Sequence, residues 1–249
     1  MFKDKKFQVK NIKEILSDID SAAEAMPGVR DVFLADGDAI VMPQDYLLKI
    51  ISHLKKRFPY LESIATYAGP KSTLAKSLEQ LKILHEAGIT RAYLGVESGD
   101  NKILHDTCKG VNAEEMERAG KRLIEAGIEL CAIILIGLGG KDRSAENAHE
   151  TASIINRIKP AQLAAMTYTP VPGTRMFTQI QKGEFHPLDA KGALQETRAL
   201  VADLDVDGLY FTSNHVSNAI SASCVLPKDK DTLLHALDNA IANTPNSSI

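Results

Sequence analysis

The chain has 249 residues, 44% of them apolar and 24% charged, with a formal net charge of −3 and no tryptophan. This balance is ordinary for a globular protein. It excludes the basic footprint of a general nucleic-acid binder and leaves no apolar run long enough to span a membrane. The three cysteines, Cys108, Cys131 and Cys224, are odd in number and irregularly spaced, without CxxC or HExxH, which argues against a disulfide framework or a self-sufficient metal motif.

In chain order, the weakly basic start "KDKKF" at residues 3–7 reads as a solvated end. The first 25 residues are polar and amphipathic, unlike a signal peptide, so a cytoplasmic location is the default. Residues 9–26 predict a helix with no strand before it. "VRDVFLAD" at 29–36 then predicts a buried strand, followed by a helix over 43–58. Strands follow at 63–69, 89–98, 128–137 and 162–170, with a weaker one at 208–215. Helices are predicted over 76–87, 112–126 and 144–159, and a C-terminal helix and tail over about 228–249. Leu78, Leu81, Leu84 and His85 share one helical face. Asn112 and Ser144 read as N-caps, Gly88 and Gly127 as helix stops.

Strand ends recur about every 30 to 40 residues, the length of a βα unit. No Pro- or Ser-rich linker divides the chain, so residues 1–249 read as one α/β domain, a barrel or a doubly wound parallel sheet. A βα repeat should open with a strand. Without one, the 29–36 strand has an unpaired edge that invites pairing with a partner or a second copy.

Both candidate folds bind ligands at the carboxyl ends of their strands. Those positions hold Asp36-Gly37-Asp38, Tyr67, Glu97-Ser98-Gly99-Asp100, Gly137-Leu138-Gly139-Gly140, Thr167-Tyr168-Thr169, and finally Asn214 and His215. Aspartate and glycine are also ordinary turn formers, but four successive strands ending in polar groups favour a shared site. "GLGGKD" is not a phosphate loop: GxGxxG would need glycine at Asp142, and GxxxxGK[ST] would need glycine at Leu135 and a hydroxyl at Asp142. His53, His85, His149 and His235 fall on predicted helices and read as surface or core fillers, whereas His215 sits in the polar cluster "TSNHVSN". Low aromatic content predicts no stacking platform for a base.

This set of strand ends resembles the radical S-adenosylmethionine (SAM) enzymes, in particular the branch with coproporphyrinogen-dehydrogenase-like and Elongator-like domains. The resemblance runs from Phe2 to about residue 240 and implies a partial (β/α)6 TIM-like barrel of parallel strands. It implies that Asp36, Gly37 and Asp38 stand where the family holds the SAM ammonium. A cationic amino group wants carbonyls and a carboxylate, and glycine lets the backbone come close. Asp36 replaces the first glycine of that motif, a departure. The resemblance further assigns Tyr67 to cofactor binding, Glu97 and Ser98 to the ribose and methionine part, Lys109 to the SAM carboxylate, and Ile136, Gly137 and Leu138 to the adenine. "TPVPGT" at 169–174 looks like the segment that faces substrate, and Tyr168, Asn214 and His215 are the candidate substrate contacts. The implied activity is generation of a 5′-deoxyadenosyl radical next to a [4Fe–4S] cluster, with an electron donor and an unidentified substrate as partners.

The family's defining CxxxCxxC loop is missing from this sequence. "MFKDKKF" resembles the residues that follow its third cysteine, so the resemblance implies an N-terminally truncated chain. Its cluster loop and first strand would then lie upstream of Met1. The expectation is a chain that holds SAM weakly and is inactive by itself, the [4Fe–4S] cluster belonging to the full-length protein. Two alternatives stand beside it. In a divalent-metal-dependent barrel lyase or aldolase, Asp36, Asp38 and Glu97 would ligate Mg²⁺ or Mn²⁺. In a non-catalytic module, the exposed edge strand would dock a partner.

Overall fold

The structure, a computed structural model, describes residues 9–35 and 37–245. Its strands are β1 (Asp31–Leu34), β2 (Ser63–Tyr67), β3 (Ile89–Glu97), β4 (Glu129–Ile136), β5 (Gln162–Thr167), β6 (Leu209–Thr212) and β7 (Ser223–Leu226). They form one seven-stranded sheet in chain order, with β1 and β7 at its open edges. The helices are α1 (Ile12–Ala25), α2 (Gln44–Arg57), α3 (Pro70–Ala75), α4 (Leu78–Ala87), α5 (Asn101–Asp106), α6 (Ala113–Glu125), α7 (Ser144–Ile158), α8 (Arg175–Gln181), α9 (Ala190–Asp203) and α10 (Lys230–Asn243). The chain divides into two compact units, one of residues 1–94 and 121–130, the other of 95–120 and 131–249.

In the first unit β1 pairs parallel with β2, and β2 with β3. Side chains alternate between faces along a strand. Ile64, Thr66, Ala92 and Leu94 are buried on one face, while Phe33, Tyr67 and Tyr93 share the other. α1 opens at Asn11, whose side chain accepts from Lys13 N (2.9 Å). It packs on α2 through Asp20, which meets Arg57 (2.8 Å) and His53 (2.7 Å). α2 buries Leu47, Ile50, Ile51 and Leu54 at helical spacing and carries Lys55, Lys56 and Arg57 in its last turn, where cations suit the helix dipole. The predicted 76–87 helix starts at Leu78: Lys76 is the C-cap of α3, and Ser77 caps α4 in a reciprocal capping box with Gln80. Gly88 ends α4 at φ +138°, as its sequence position implies.

The predicted buried strand at 29–36 is shorter and more exposed than expected. β1 covers four residues, with Asp31 and Phe33 exposed and Val32 and Leu34 only half-buried, because an edge strand has a neighbour on one side alone. Beside it lies an apolar cleft of about 780 Å³, lined among others by Ile15, Ile19, Met26, Val32, Leu34 and Phe58, with Asp38 and Met42 also on its wall.

In the second unit β4, β5 and β6 run parallel, and β7 returns antiparallel to β6. β7 and α9 are absent from the sequence prediction. α7 packs on α9, and α9 on α10. Glu115 N donates to Asn112 Oδ1 (2.8 Å) while Asn112 N donates to Glu115 Oε2 (3.0 Å), so Asn112 does cap α6. Ser144 does not cap α7. It is the first residue of that helix, and its hydroxyl donates to Glu196 (2.6 Å). No helix among the described residues is long and apolar enough to cross a membrane.

Candidate functional site

The chain leaves β1 through Gly37, at φ +103°, a region that favours glycine. Asp36 lies outside the described residues, as does the "MFKDKKF" segment. Asp38 follows, half-buried, and its Oδ2 accepts from Ser72 Oγ. Ser72 is on α3, which starts where β2 ends, with Gly69 as N-cap and Pro70 as first residue. Gly69 leaves room for the Asp38 side chain: a Cβ there would run into the Asp38 carboxylate and lie 3.3 Å from Ser72 Oγ. The other carboxylate oxygen, Asp38 Oδ1, is buried and has no hydrogen-bond partner among the described residues. Lys76 is buried close by, its Nζ donating to Met42 O (3.0 Å). Burial pulls the Lys76 pKa down, and the Asp38 charge opposes that shift.

Tyr67, 42% exposed, meets Phe33 edge to face with ring centroids 4.8 Å apart. Tyr93 completes the group, 5.3 Å from Phe33 and 6.2 Å from Tyr67. The three rings pack edge-on or tilted against one another, at interplanar angles of 67°, 54° and 68°. Three of the few aromatic residues are brought to one sheet face by strand pairing, which composition cannot register.

In the second unit β3 ends at Glu97, a non-glycine residue at φ +64°, with Ser98 N donating back to Val96 O (2.8 Å). Such a conformation costs of order 1–3 kcal/mol and is held only by its surroundings. Lys109 Nζ donates to the Glu97 side chain at Oε1 (2.6 Å). Both predicted residues are thus brought together, but as partners of each other. Ser98 is fully buried. Its hydroxyl donates to Asn147 Oδ1 (2.6 Å) and accepts from Asp100 N (3.0 Å). Asp100 caps α5 through Lys102 N (2.7 Å) and Ile103 N (3.3 Å) and accepts from Arg143 Nε (2.9 Å).

β4 ends at Ile136, and Gly137 turns the chain at φ +79°. Its N–H donates to Glu196 Oε1 (2.7 Å), an α9 carboxylate that is only 2% exposed. Ile136 and Leu138 are buried. Tyr168 N donates to Ile136 O (2.8 Å), and its ring meets Phe185 at 5.9 Å. The Tyr168 hydroxyl is buried without a hydrogen-bond partner among the described residues, and burial pushes its pKa up. Asn214 and His215 are exposed, His215 sharing a hydrogen bond with Ser217 (2.8 Å). Asn218, in the same polar cluster, braces the β5 end, accepting from Thr167 (2.9 Å) and donating to Ala165 O (2.8 Å).

Sequence reasoning missed Ser72, Gly69, Asn147 and Glu196. Gly69-Pro70, a helix-start signal right after a strand, marks the first two in retrospect. Asn147 and Glu196 carry no local signal.

The residues present suit a cationic organic ligand at Asp38, where an acceptor waits for an N–H donor. They do not suit an iron–sulfur cluster: Cys108 is exposed, Cys131 is buried and Cys224 lies on β7, and no three metal-ligating side chains converge among the described residues. Of the three carboxylates named for a metal-dependent lyase, Asp36 lies outside the described residues, Asp38 accepts from Ser72 Oγ and Glu97 accepts from Lys109 Nζ (2.6 Å).

The family model described as "Radical SAM superfamily" matches residues 2–152. A tRNA-2-methylthio-N(6)-dimethylallyladenosine synthase of Wolbachia pipientis subsp. Culex pipiens (strain wPip) is 30% identical over 128 residues, covering 51% of this chain and 28% of the relative. The heme chaperone HemW of Bacillus subtilis is 19% identical over 191 residues, covering 76% of this chain and 50% of HemW. The chain therefore spans half or less of the length of these curated relatives. Among solved structures, Elp3 of Methanocaldococcus infernus aligns with TM-score 0.66 and 13% identity over 92% of this chain and 60% of its own. Coproporphyrinogen III oxidase (HemN) of Escherichia coli aligns with TM-score 0.53 and 13% identity over 96% and 71%. At these identities the two structures establish a shared fold, and the family match extends over more than half of the sequence. The chain belongs to the radical SAM superfamily.

Proposed function

We propose that this chain is the SAM-binding core of a radical SAM enzyme and that Asp38 receives the ligand's α-ammonium group. The observation that carries the reading is the buried, unpartnered Oδ1 of Asp38, at the end of a strand and behind a glycine. A buried carboxylate oxygen left without a donor is costly, and an ammonium supplies both the proton and the charge. Ser72 orients the carboxylate from its other oxygen, and Gly69 keeps that side clear. In the second unit the Ile136–Leu138 segment is the assigned adenine contact, with buried apolar side chains and a left-handed glycine. Glu97 and Lys109, satisfied by each other, would meet the ligand as a neutralised pair.

In the family, bound SAM supplies the 5′-deoxyadenosyl group used for hydrogen abstraction. The three cysteines of this chain do not fit a [4Fe–4S] cluster, so no step of the reading passes through one. A substrate and an electron donor are the partners such chemistry requires.

Calorimetric titration with SAM tests the reading. A hydrogen bond to a charged group is worth about 1.5–3 kcal/mol, so Asp38→Asn should weaken binding roughly 10- to 150-fold, at about 1.4 kcal/mol per tenfold. Failure of the native chain to bind SAM at millimolar concentration, or an unchanged affinity in Asp38→Asn, would sink it.

A second reading is favoured by the outer edge of β1, which has no strand partner among the described residues and borders the apolar cleft. An unpaired apolar edge is a template for strand addition, and we propose that a second copy of this chain pairs there. Sedimentation that stays monomeric across a hundredfold concentration range, unchanged by Val32→Pro, refutes it.

A further inference from the structure

Glu196 is a buried carboxylate that the SAM reading does not use. It lies on α9 and is 2% exposed. Its Oε1 accepts from Gly137 N (2.7 Å) and from Asn147 Nδ2 (2.7 Å), and its Oε2 accepts from Ser144 Oγ (2.6 Å). All three donors are neutral, and no charged side chain is among the groups that act on it. Burial accordingly pushes its pKa up, with the three hydrogen bonds opposing. A leucine or methionine would fill such a place at lower cost, because burying a carboxylate without a cation is unfavourable even when it is hydrogen-bonded. Its acceptor oxygens must therefore serve something other than packing.

Each donor belongs to a segment at a strand end. Gly137 turns the chain out of β4 at φ +79°, and Ser144 and Asn147 lie in the first turns of α7. Asn147 extends the network: its Nδ2 also donates to Leu135 O (3.2 Å), and its Oδ1 accepts from Ser98 Oγ (2.6 Å) at the end of β3. Ser98 in turn accepts from Asp100 N (3.0 Å). A single chain of hydrogen bonds thus runs from the residues after β3, through Asn147 and Glu196, to the glycine that ends β4. Every polar atom in it has a partner, the condition under which a buried network specifies one geometry.

We propose that Glu196 is a positioning residue, whose carboxylate holds the Gly137 turn, and through Asn147 the Ser98 turn, in the conformation that receives the adenosine part of the ligand. The proposal rests on the SAM reading for the identity of that ligand, and on the network alone for the positioning.

Two substitutions separate acceptor geometry from bulk. In Glu196→Gln the amide oxygen still accepts from Gly137 and Asn147, and the amide nitrogen donates to the Ser144 hydroxyl, which rotates to accept. Glu196→Leu removes every acceptor at similar volume. Amide hydrogen exchange over residues 134–140, followed without ligand, should accelerate at least tenfold in Glu196→Leu and stay within about threefold of the native chain in Glu196→Gln. SAM affinity of the folded protein should fall at least tenfold in the first and stay within about threefold in the second. If Glu196→Leu does not fold, Asn147→Asp carries the test. It keeps the side-chain shape but sets an acceptor against Glu196 and Leu135 O, and should accelerate exchange over both 95–100 and 134–140. Native exchange over 134–140 in Glu196→Leu or Asn147→Asp overturns the proposal, as does equal damage by Glu196→Gln and Glu196→Leu. A native chain that does not bind SAM defeats the functional reading, and the exchange result then decides the positioning role by itself.

Discussion

Gly69→Ala probes the Asp38 corner without replacing a charged residue. Gly69 has φ −76° and ψ 147°, ordinary extended backbone that alanine adopts freely. Stiffening the unfolded chain at such a position favours the folded state by about 0.4–1 kcal/mol. Against that gain, the added Cβ would collide with Asp38 Oδ2 and lie 3.1 Å from its Cγ and 3.3 Å from Ser72 Oγ. The carboxylate must then swing away and give up its bond from Ser72, a bond to a charged acceptor worth about 1.5–3 kcal/mol. The difference is a net loss of about 0.5–2.5 kcal/mol. For a chain of this size that lowers Tm by roughly 1–10 °C, at about 2–4 °C per kcal/mol. SAM affinity should fall at least as far as in Asp38→Asn, because the ammonium acceptor is displaced. Calorimetric scans with and without SAM measure both effects. A Tm equal to or above that of the native chain, together with unchanged SAM affinity, would refute the reasoning, since Asp38 would then be free to relax.

Arg143→Ala leaves the 5%-exposed Asp100 carboxylate with its two capping N–H donors but no cation. Breaking a fully buried pair costs about 3–5 kcal/mol; with Arg143 partly exposed and the caps retained, a loss of about 1–3 kcal/mol is expected in urea unfolding. Glu196 gives a pH signature. Its pKa is raised in the folded chain, so the folded state binds the extra proton and stability falls as pH rises from the ordinary glutamate value of about 4.3 through the raised one. Glu196→Gln removes that dependence, so its stability relative to the native chain should increase with pH across this window in urea titrations at stepped pH; a constant difference contradicts the assignment. A double-mutant cycle of Phe33→Leu and Tyr67→Leu should return a coupling of about 0.5–1.5 kcal/mol, the range for edge-to-face rings, and zero coupling would mean that the rings do not act together.

The alternation of short apolar runs with amphipathic stretches is local, and it located six of the seven strands and the main helices of the βα repeat. Capping at Asn112 and termination at Gly88 were legible for the same reason, since a helix end is satisfied by residues a few positions away. β7 was not legible. Its four residues alternate weakly and owe their strand character to antiparallel pairing with β6. α9 was hidden because Gly192, Glu196 and Thr197 interrupt its apolar pattern, and two of them are buried. Ser144 shows how a local rule fails: serine before an acidic residue suggests a cap, but its hydroxyl is claimed by a carboxylate 52 positions along the chain.

The sequence by itself determined the order of strands and helices and the polar residues at strand ends, because each is written in spacing. Only the tertiary structure decided which of those polar groups are spoken for. Glu97 is answered by Lys109 and Ser98 by Asn147, Gly137 hangs on Glu196 59 positions away, and one oxygen of Asp38 is left open. Whether a side chain is free for a ligand depends on which neighbours long-range packing brings within about 3 Å, the reach of a hydrogen bond. Burial then sets the penalty for leaving it unpaired, and neither quantity is encoded in residue spacing.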